Sequence, residues 1–247
     1  MLNNSTVQKL YEMKLSALAQ MFEKQRNDAA IAELSFEERF GLLVDAEWVA
    51  RKNNQLKRLI QKAAFVFPGA CLEDIEYHAD RKLNKSLITQ LGTCIYVEEH
   101  HNIIILGAAG GGKTWISNAF GNAACRNFNS VRYTRLPEIF AELAVARVQG
   151  TYSKTINQYK KVKLLILDEW LLYPLKESEA RDLLEIVESR HKRASTIFCS
   201  QFEVGGWHQK IGDLTLADAI VDRIVHDSYS IVVAGKESMR KRKGLKS

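Results

Sequence analysis

The residues that could carry chemistry begin with a glycine-rich stretch, GAAGGGKT, at residues 107–114. It matches the pattern G-x-x-x-x-G-K-[ST], which ends here in Gly112, Lys113 and Thr114. Glycines let consecutive backbone N–H groups face a phosphate chain, and a helix that begins there adds the partial positive charge of its N-terminus. In this pattern the lysine contacts the β- and γ-phosphates, and the hydroxyl group ligates Mg²⁺. The predicted ATP contacts are Gly107, Ala108, Ala109, Gly110, Gly111, Gly112, Lys113, Thr114 and Trp115.

A second pair of chemically competent residues, Asp168 and Glu169, follows an apolar run at residues 164–167. Such a run is typical of a buried strand in a parallel sheet, and the carboxyl end of that strand lies at the same edge as the phosphate loop. Asp168 would complete the Mg²⁺ shell with Thr114, and Glu169 would orient or deprotonate the attacking water. Together the two motifs predict Mg²⁺-dependent ATP hydrolysis, with Lys113 and Glu169 as catalytic side chains.

The elements that must position these residues alternate between strand and helix patterns. Strands are predicted at residues 102–106, 130–135, 163–170, 195–200 and 229–234. Helices are predicted at residues 115–128, 137–148, 177–192 and 213–225. One strand and one helix fit between the phosphate loop and the acidic strand. The sequence therefore predicts a parallel five-stranded α/β sheet of the additional-strand (AAA+) ATPase type, rather than a simple nucleotide kinase.

The N-terminal quarter is predicted to be a small all-helical domain, residues 1–67, which binds DNA or a partner. Pro68 and Gly69 provide the best linker, and residues 68–247 would form the ATPase domain with a basic C-terminal tail. Apolar spacing across residues 7–22 predicts a first helix. A capping box at residues 35–38 opens a second helix that can run to residue 64. Its expected inward side chains are Phe36, Phe40, Leu43 and Trp48.

Basic residues are clustered rather than evenly spread across the chain, whose formal net charge is +6. An acid-free stretch spans residues 51–62, six basic residues face one acid in residues 235–247, and a polar loop is expected at residues 149–161. Such clusters suit a polyanion such as DNA, although a solvated helix face, a solubilising tail or an exposed lysine-rich loop would look similar. The DNA-contact candidates are Arg51, Lys52, Lys57, Arg58, Lys62, Lys154 and Lys160.

Several function classes are disfavoured by composition. The four cysteines are scattered without a CxxC pair, so neither a disulfide framework nor a zinc site is expected. No apolar run approaches the ~20 residues of a membrane span, and the N-terminus lacks the order of a signal peptide. We therefore expect a cytoplasmic protein that makes no membrane contact.

The end of the fourth predicted strand supplies another candidate, at Ser200 and Gln201. A polar side chain there would lie between the γ-phosphate and Glu169, where it could respond to hydrolysis. Ordinary capping of the strand end is the alternative, and the sequence does not choose between the two residues.

Longer stretches resemble the IstB family, which comprises ATP-binding helper proteins encoded beside the transposase of bacterial insertion sequences. They are GAAGGGKT, LLILDEW, STIFCSQF, GDLTLADAIVDRIVH and GKESMRKRKG, preceded by FEERFGLLVDAEW and FPGACLEDIEY. Very many ATPases share the glycine loop, whereas LADAIVDRIVH followed by GKESMR is far narrower. The resemblance covers nearly the whole chain, and IstB proteins are similar to the DnaC helicase loaders of the AAA+ superfamily.

The resemblance implies a homo-oligomer with active sites at subunit interfaces, which assembles on double-stranded DNA and recruits or stimulates a cognate transposase. A DnaC-like loader of the replicative helicase is the alternative. Gln201 matches the sensor position, where many relatives have asparagine, and Ser200 is a substitute. Arg223 matches the arginine that AAA+ proteins insert into a neighbour's site, unless it pairs with an aspartate of its own helix. Arg240 matches a second sensor that contacts nucleotide, or else it opens the basic tail.

Overall fold

A computed structural model describes residues 2–235 and 238–243 of the chain. Its strands are β1 (Asn102–Gly107), β2 (Val131–Arg135), β3 (Leu164–Trp170), β4 (Ser195–Ser200) and β5 (Ser228–Val233). Its helices are α1 (Leu2–Glu12), α2 (Ser16–Asn27), α3 (Ala29–Ala32), α4 (Phe36–Ala63), α5 (Lys85–Gly92), α6 (Ile95–Glu98), α7 (Lys113–Arg126), α8 (Leu136–Val148), α9 (Tyr152–Lys161), α10 (Glu177–Arg190), α11 (Trp207–Ile211), α12 (Leu214–Val225) and α13 (Met239–Lys243). The described residues group into two units, one ending at Arg58 and one beginning at Leu59.

The second unit contains one parallel sheet with the strand order β2-β3-β4-β1-β5. Strand β4 lies between β1, which precedes the glycine loop, and β3, which carries the acidic pair. The predicted additional strand is therefore confirmed. In this order the carboxyl ends of β1 and β3 flank the end of β4, so the loop, the acids and residues 200–201 share one edge.

The two faces of the sheet are both covered by helices. Side chains alternate along each strand, and Ile104 and Leu167 belong to the large apolar cluster that includes residues of α8, α10 and α12. Helix α7 covers the opposite face, where a Cβ on Gly121 would lie 2.9 Å from Ile166 Cδ1. Each fully buried Leu or Ile contributes about 1.5–3 kcal/mol, so this core fixes the strand ends on which the site depends.

Residues 149–161 differ from the expectation of a polar loop, because they contain helix α9. Tyr152, Ile156 and Tyr159 lie on one helical face, and Ile156 and Tyr159 are fully buried in the apolar cluster. Packing of this face outweighs the high lysine content of the segment. The adjacent guanidinium of Arg190 donates hydrogen bonds to Tyr159 O at 2.8 Å and Val162 O at 2.7 Å, which secures the end of the helix.

In the first unit, the predicted single helix across residues 7–22 is wrong. The structure has α1 and α2 with a break between them, at which Lys14 adopts a positive φ of 60°. The Glu47 carboxylate of α4 accepts the amides of Ala17 at 3.1 Å and Leu18 at 3.2 Å. It thereby satisfies donors of the first turn of α2, which have no partner within their own helix.

The capping box of α4 forms as predicted: the Ser35 amide donates to Glu38 Oε2 at 2.8 Å, and the Glu38 amide to Ser35 Oγ at 3.3 Å. The inward assignment of its aromatic residues is wrong, because Phe36, Phe40 and Trp48 are 69%, 54% and 60% exposed. Helix α4 contacts α2 through polar groups: the Glu47 carboxylate accepts the amides of Ala17 and Leu18, and Arg39 O accepts a hydrogen bond from Gln25 Nε2 at 2.8 Å.

The described part of the chain contains no helix long and apolar enough to cross a bilayer. All four cysteines are free thiols, and three of them are buried.

Candidate nucleotide-binding site

Two positions of the loop require glycine, one because another strand approaches its backbone closely and one because its backbone has a positive φ. A Cβ on Gly107 would lie 2.4 Å from Val233 O at the end of β5, a distance that real Cβ atoms do not show. Gly112 caps α7 with a φ of 94°, which strains any residue with a side chain. A turn in which the Gly111 amide donates to Ala108 O at 3.2 Å shapes the loop between them.

Lys113 is the first residue of α7 and is only 8% exposed. Its Nζ donates to Gly107 O at 2.7 Å and Ala108 O at 3.0 Å, so the ammonium group lies inside the curve of the loop. Burial lowers the pKa of Lys113, while the nearby Cys199 and Asp168 act in the opposite direction. A triphosphate placed in this loop would meet a cation that has already been removed from water.

Asp168 is the centre of a buried polar cluster. Its Oδ2 accepts hydrogen bonds from Thr114 Oγ1 at 2.6 Å and from Tyr133 OH at 2.9 Å. Burial, followed by the charge of Asp168, raises the pKa of Tyr133, so its hydroxyl remains a donor at neutral pH. Thr114 and Asp168, which the sequence predicted to hold Mg²⁺ together, are thus close in space. Tyr133 was missed, because only the register of β2 beside β3 brings it there.

Glu169 lies at the irregular end of β3, where its backbone has a φ of 53° and the pairing with β4 shifts register. The next residue, Trp170, is fully buried and packs against Phe198 and Trp207, with ring centroids 4.6 and 5.4 Å away. With Trp170 packed in the core, the Glu169 side chain faces the cavity. Its Oε1 lies 3.7 Å from Arg135 Nε.

A cavity of about 380 Å³ joins these residues, which falls within the usual ligand-site range of roughly 300–1,000 Å³. The predicted site residues that line it are Ala109, Gly110, Gly112, Lys113, Thr114, Trp115, Asp168, Glu169 and Gln201. Other lining residues that sequence reasoning did not single out include Phe67, Arg81, Tyr133, Arg135, Cys199 and Met239. The phosphate loop and the acidic strand therefore face one common space.

The donor set fits Mg²⁺ bound together with a nucleotide. Thr114 and Asp168 offer a hydroxyl and a carboxylate oxygen side by side, which are the hard ligands that this ion prefers. Among the described residues, no group of three or more His, Cys, Asp or Glu side chains could hold a metal ion alone. Phosphate oxygens and water would have to complete such a shell, as is usual for Mg²⁺.

The two sensor candidates differ in position. Ser200 is fully buried, and its Oγ donates to Phe202 O at 2.9 Å and accepts from the Phe202 amide at 3.1 Å. It caps the end of β4. Gln201 lines the cavity with the acidic pair.

Arg223, one of the two arginines suggested by the resemblance, lies away from this cavity. Arg223 is on α12, where Nη1 donates to Ala219 O at 2.8 Å and Nη2 to Glu188 Oε1 of α10 at 3.3 Å. It does not pair with Asp218 or Asp222, the alternatives that the sequence left open, nor does it line the cavity of its own chain. The side chain of Arg240 lies outside the described residues.

The candidate DNA contacts lie on α4 and α9. Arg51 donates from Nε to Glu47 at 2.7 Å, and the ammonium of Lys52 lies 5.6 Å from the centre of the Trp48 ring. Lys160 forms an ion pair with Glu185, so its ammonium group already has a carboxylate partner within the protein. The remaining candidates are exposed: Lys57, Arg58, Lys62 and Lys154.

Solved structures with a similar fold come from replication initiation and helicase loading. The DnaI structure aligns with a TM-score of 0.56 at 23% identity, covering 68% of this chain and 89% of that one. AMPPCP-bound DnaA from Aquifex aeolicus aligns with a TM-score of 0.57 at 22% identity, covering 70% and 52%. At these identities the likeness concerns the fold, which is that of AAA+ proteins.

Sequence comparison covers almost the entire chain. A putative insertion sequence ATP-binding protein, y4pL of Sinorhizobium fredii, is 40% identical over 247 residues, the whole of both chains. The IS1162 putative ATP-binding protein of Pseudomonas fluorescens is 37% identical, covering 81% of this chain and 87% of its own. The family described as IstB-like ATP binding protein matches residues 8–247. With its phosphate loop and acidic strand on one cavity, the chain belongs to the IstB-like family of ATP-binding proteins.

Proposed function

We propose that this protein is a Mg²⁺-dependent ATPase that assembles on double-stranded DNA and assists the transposase of an insertion sequence. The observation that carries the proposal is the convergence of Lys113, Thr114, Asp168 and Glu169 on one cavity, in a chain whose relatives are named insertion sequence ATP-binding proteins.

In this proposal, Lys113 exchanges the carbonyls of Gly107 and Ala108 for the β- and γ-phosphates of ATP. Thr114 and Asp168 hold Mg²⁺, and Tyr133 keeps Asp168 oriented through its hydrogen bond. Mg²⁺, when bound, neutralises charge on the phosphate oxygens. The loop glycines and the first turn of α7 supply amides to the phosphate chain.

Glu169 orients or deprotonates the attacking water. Its contact with Arg135 joins side chains that are 36% and 47% exposed, so the ion pair is worth at most about 1 kcal/mol. Such a pair restrains the carboxylate without preventing its use. Gln201 lies on the same cavity and responds to the γ-phosphate.

Arg223 is proposed to complete the site of a neighbouring subunit in an ATP-dependent homo-oligomer. Its ion pair with Glu188 is partly exposed, at 30% and 62%, and can be exchanged for a phosphate at modest cost. A cation that arrives from the next subunit would couple hydrolysis to assembly.

Helix α4 is proposed to contact DNA phosphates. Arg51 and Arg58 are spaced by seven positions, which places them on one helical face, and Lys62 is a separate basic candidate near the end of the helix. Lys52 and Lys57 add to the charge of this segment, and Lys154 is a second, separate candidate.

The test is sedimentation and electron microscopy of the protein with duplex DNA, with and without a non-hydrolysable ATP analogue. We expect multimers on DNA only when the analogue is present, with an affinity that falls steeply as salt rises. A protein that stays monomeric and ignores DNA in the presence of the analogue would refute the proposal.

A helicase loader is the second candidate, because the fold is also that of DnaI and the DnaC helicase loader. Capture experiments with the purified cognate transposase and with the replicative helicase separate the two. Retention of the transposase alone is the expected result.

A further inference from the structure

Arg81 contacts the phosphate loop and lines the same cavity, although it belongs to a chain segment that precedes β1. It ends a short 3-10 turn at Ala79–Arg81 and is only 4% exposed. Its Nη2 donates to Gly111 O at 3.0 Å, and its Nη1 donates to Glu76 O at 2.8 Å. One planar guanidinium thus joins the segment before the sheet to the loop.

The hydrogen bond to Gly111 has a consequence for the opposite side of the loop. In a trans peptide the C=O and the following N–H point in opposite directions, so fixing the Gly111 carbonyl on Arg81 turns the Gly112 amide away from it. In the described part of the chain this amide donates to no backbone carbonyl. The preceding carbonyl, Gly110 O, accepts from the Met239 amide at 2.9 Å and is held in the same manner.

Arg81 also brings a buried positive charge to the cavity that it lines with Lys113. The two carbonyls that accept its hydrogen bonds are neutral, and its buried Nε–H has no acceptor within the described residues. Burial lowers the pKa of Arg81, while the charges of Glu76 and Asp80 act in the opposite direction, and the guanidinium remains charged at neutral pH. The carboxylates of Glu76 and Asp80 compensate part of this charge, and an anion in the cavity would compensate it further.

The turn that carries Arg81 is itself fixed by the end of the chain. Arg81 O accepts the Ala234 amide at 3.0 Å, and the adjacent Asp80 forms an ion pair with Arg242 of α13. These contacts hold the guanidinium in place from outside the loop.

We propose that Arg81 is a positioning residue for the phosphate chain of the nucleotide: it orients the loop amides and places a fixed positive charge beside them. This inference rests on the proposed nucleotide site. It concerns binding of the phosphates and not of the base, so the affinity for pyrophosphate should change while the affinity for adenosine should not.

The experiment compares wild-type protein with Arg81→Met and Arg81→Lys. Methionine keeps an unbranched stem without a buried charge, a replacement that folded proteins commonly tolerate. Lysine keeps the charge but cannot reach two carbonyls with a planar fork. Arg190→Lys is the matched control, because Arg190 is 2% exposed and also donates to backbone carbonyls, yet it lies beside α9 and β4.

Binding of a fluorescent ATP analogue, competition by pyrophosphate and by adenosine, and thermal unfolding without ligand are the measurements. We expect Arg81→Met to lower the affinity for the ATP analogue and for pyrophosphate by about 10-fold to 100-fold, because the loop amides that would bind the charged phosphates lose their alignment and a nearby positive charge is removed. The affinities of Arg81→Lys should lie between those of Arg81→Met and wild type, and the affinity for adenosine should not change. Arg190→Lys should lower the melting temperature without this selective loss.

Unchanged ATP and pyrophosphate affinity in Arg81→Met would overturn the inference, as would an equal loss for adenosine. A wild-type protein that binds no nucleotide would instead overturn the proposed function, and this inference with it.

Discussion

Replacing Lys113 with methionine should remove nucleotide binding while leaving the fold without ligand nearly unchanged. Methionine fills much of the same buried space but carries no charge. In the free protein, two hydrogen bonds to Gly107 O and Ala108 O disappear. The cost of keeping an ammonium group away from water disappears with them, and this cost is what lowers the pKa of Lys113. The two effects have opposite signs, so the free energy of unfolding should change little.

In the complex there is no such cancellation, because the lysine would face phosphate oxygens. Each hydrogen bond between charged groups is worth about 1.5–3 kcal/mol, so two of them correspond to a loss of about 100-fold or more in affinity. Ligand at 100 times the wild-type Kd stabilises the wild-type protein by about 2.7 kcal/mol. For a domain of this size, this is a rise of about 5–10 °C in melting temperature. A variant with a 100-fold higher Kd would gain only about 0.4 kcal/mol, or about 1 °C.

Thermal unfolding with and without a non-hydrolysable ATP analogue and Mg²⁺ measures both effects at once. Lys163→Met is the matched control, because Lys163 is exposed and lies outside the cavity. It should keep the full shift. A Lys113→Met variant whose melting temperature still rises as much as that of wild type on ligand addition would refute the role given to the lysine. A variant that is already unfolded without ligand would refute the expected cancellation of the two effects on stability.

The remaining predictions concern catalysis and DNA. Glu169→Gln should bind ATP normally but release phosphate about 10²–10⁴-fold more slowly, as for loss of a general base; wild-type turnover would contradict this role. Arg135→Ala should change nucleotide affinity by less than about fivefold, because the partly exposed pair with Glu169 is worth at most about 1 kcal/mol; a larger loss in equilibrium binding would show that Arg135 contacts nucleotide. Replacing Arg51, Lys57 and Arg58 with alanine should reduce the slope of log K against log salt by about 0.9 for each DNA phosphate that the variant no longer neutralises, and an unchanged slope in a titration with duplex DNA would exclude these residues from the interface.

The glycine loop and the order of strands were predictable because their signals are local. A strand, a G-x-x-x-x-GKT loop and a helix occur within residues 102–126, and all of them are found at those positions. The apolar run before Asp168 predicted β3. The distance between the two motifs predicted one further strand in the chain, which is β2, whereas the additional strand between β1 and β3 in the sheet is β4. Each inference needs only the side-chain period of an element and the rule that parallel strands share an edge.

Helix α9 and the exposed face of α4 were not predicted, for two different reasons. Lysines suggested a loop at residues 149–161, yet Tyr152, Ile156 and Tyr159 recur at helical spacing and supply a buried face. The aromatic residues of α4 also recur at helical spacing, but the structure leaves them exposed. Periodicity identifies a face of a helix and does not by itself say what covers that face.

The sequence by itself determined that a phosphate loop, an acidic strand end and the strands between them exist, since each is encoded in a short run of residues. Only the tertiary structure decided which side chains meet there. Tyr133 reaches Asp168 because of the register between β2 and β3, and Arg81 reaches Gly111 because a turn before β1 packs against the loop. Hydrogen bonds require atoms within about 3 Å and in suitable directions. Between residues tens of positions apart, such proximity is fixed by packing and strand register, which no local pattern specifies.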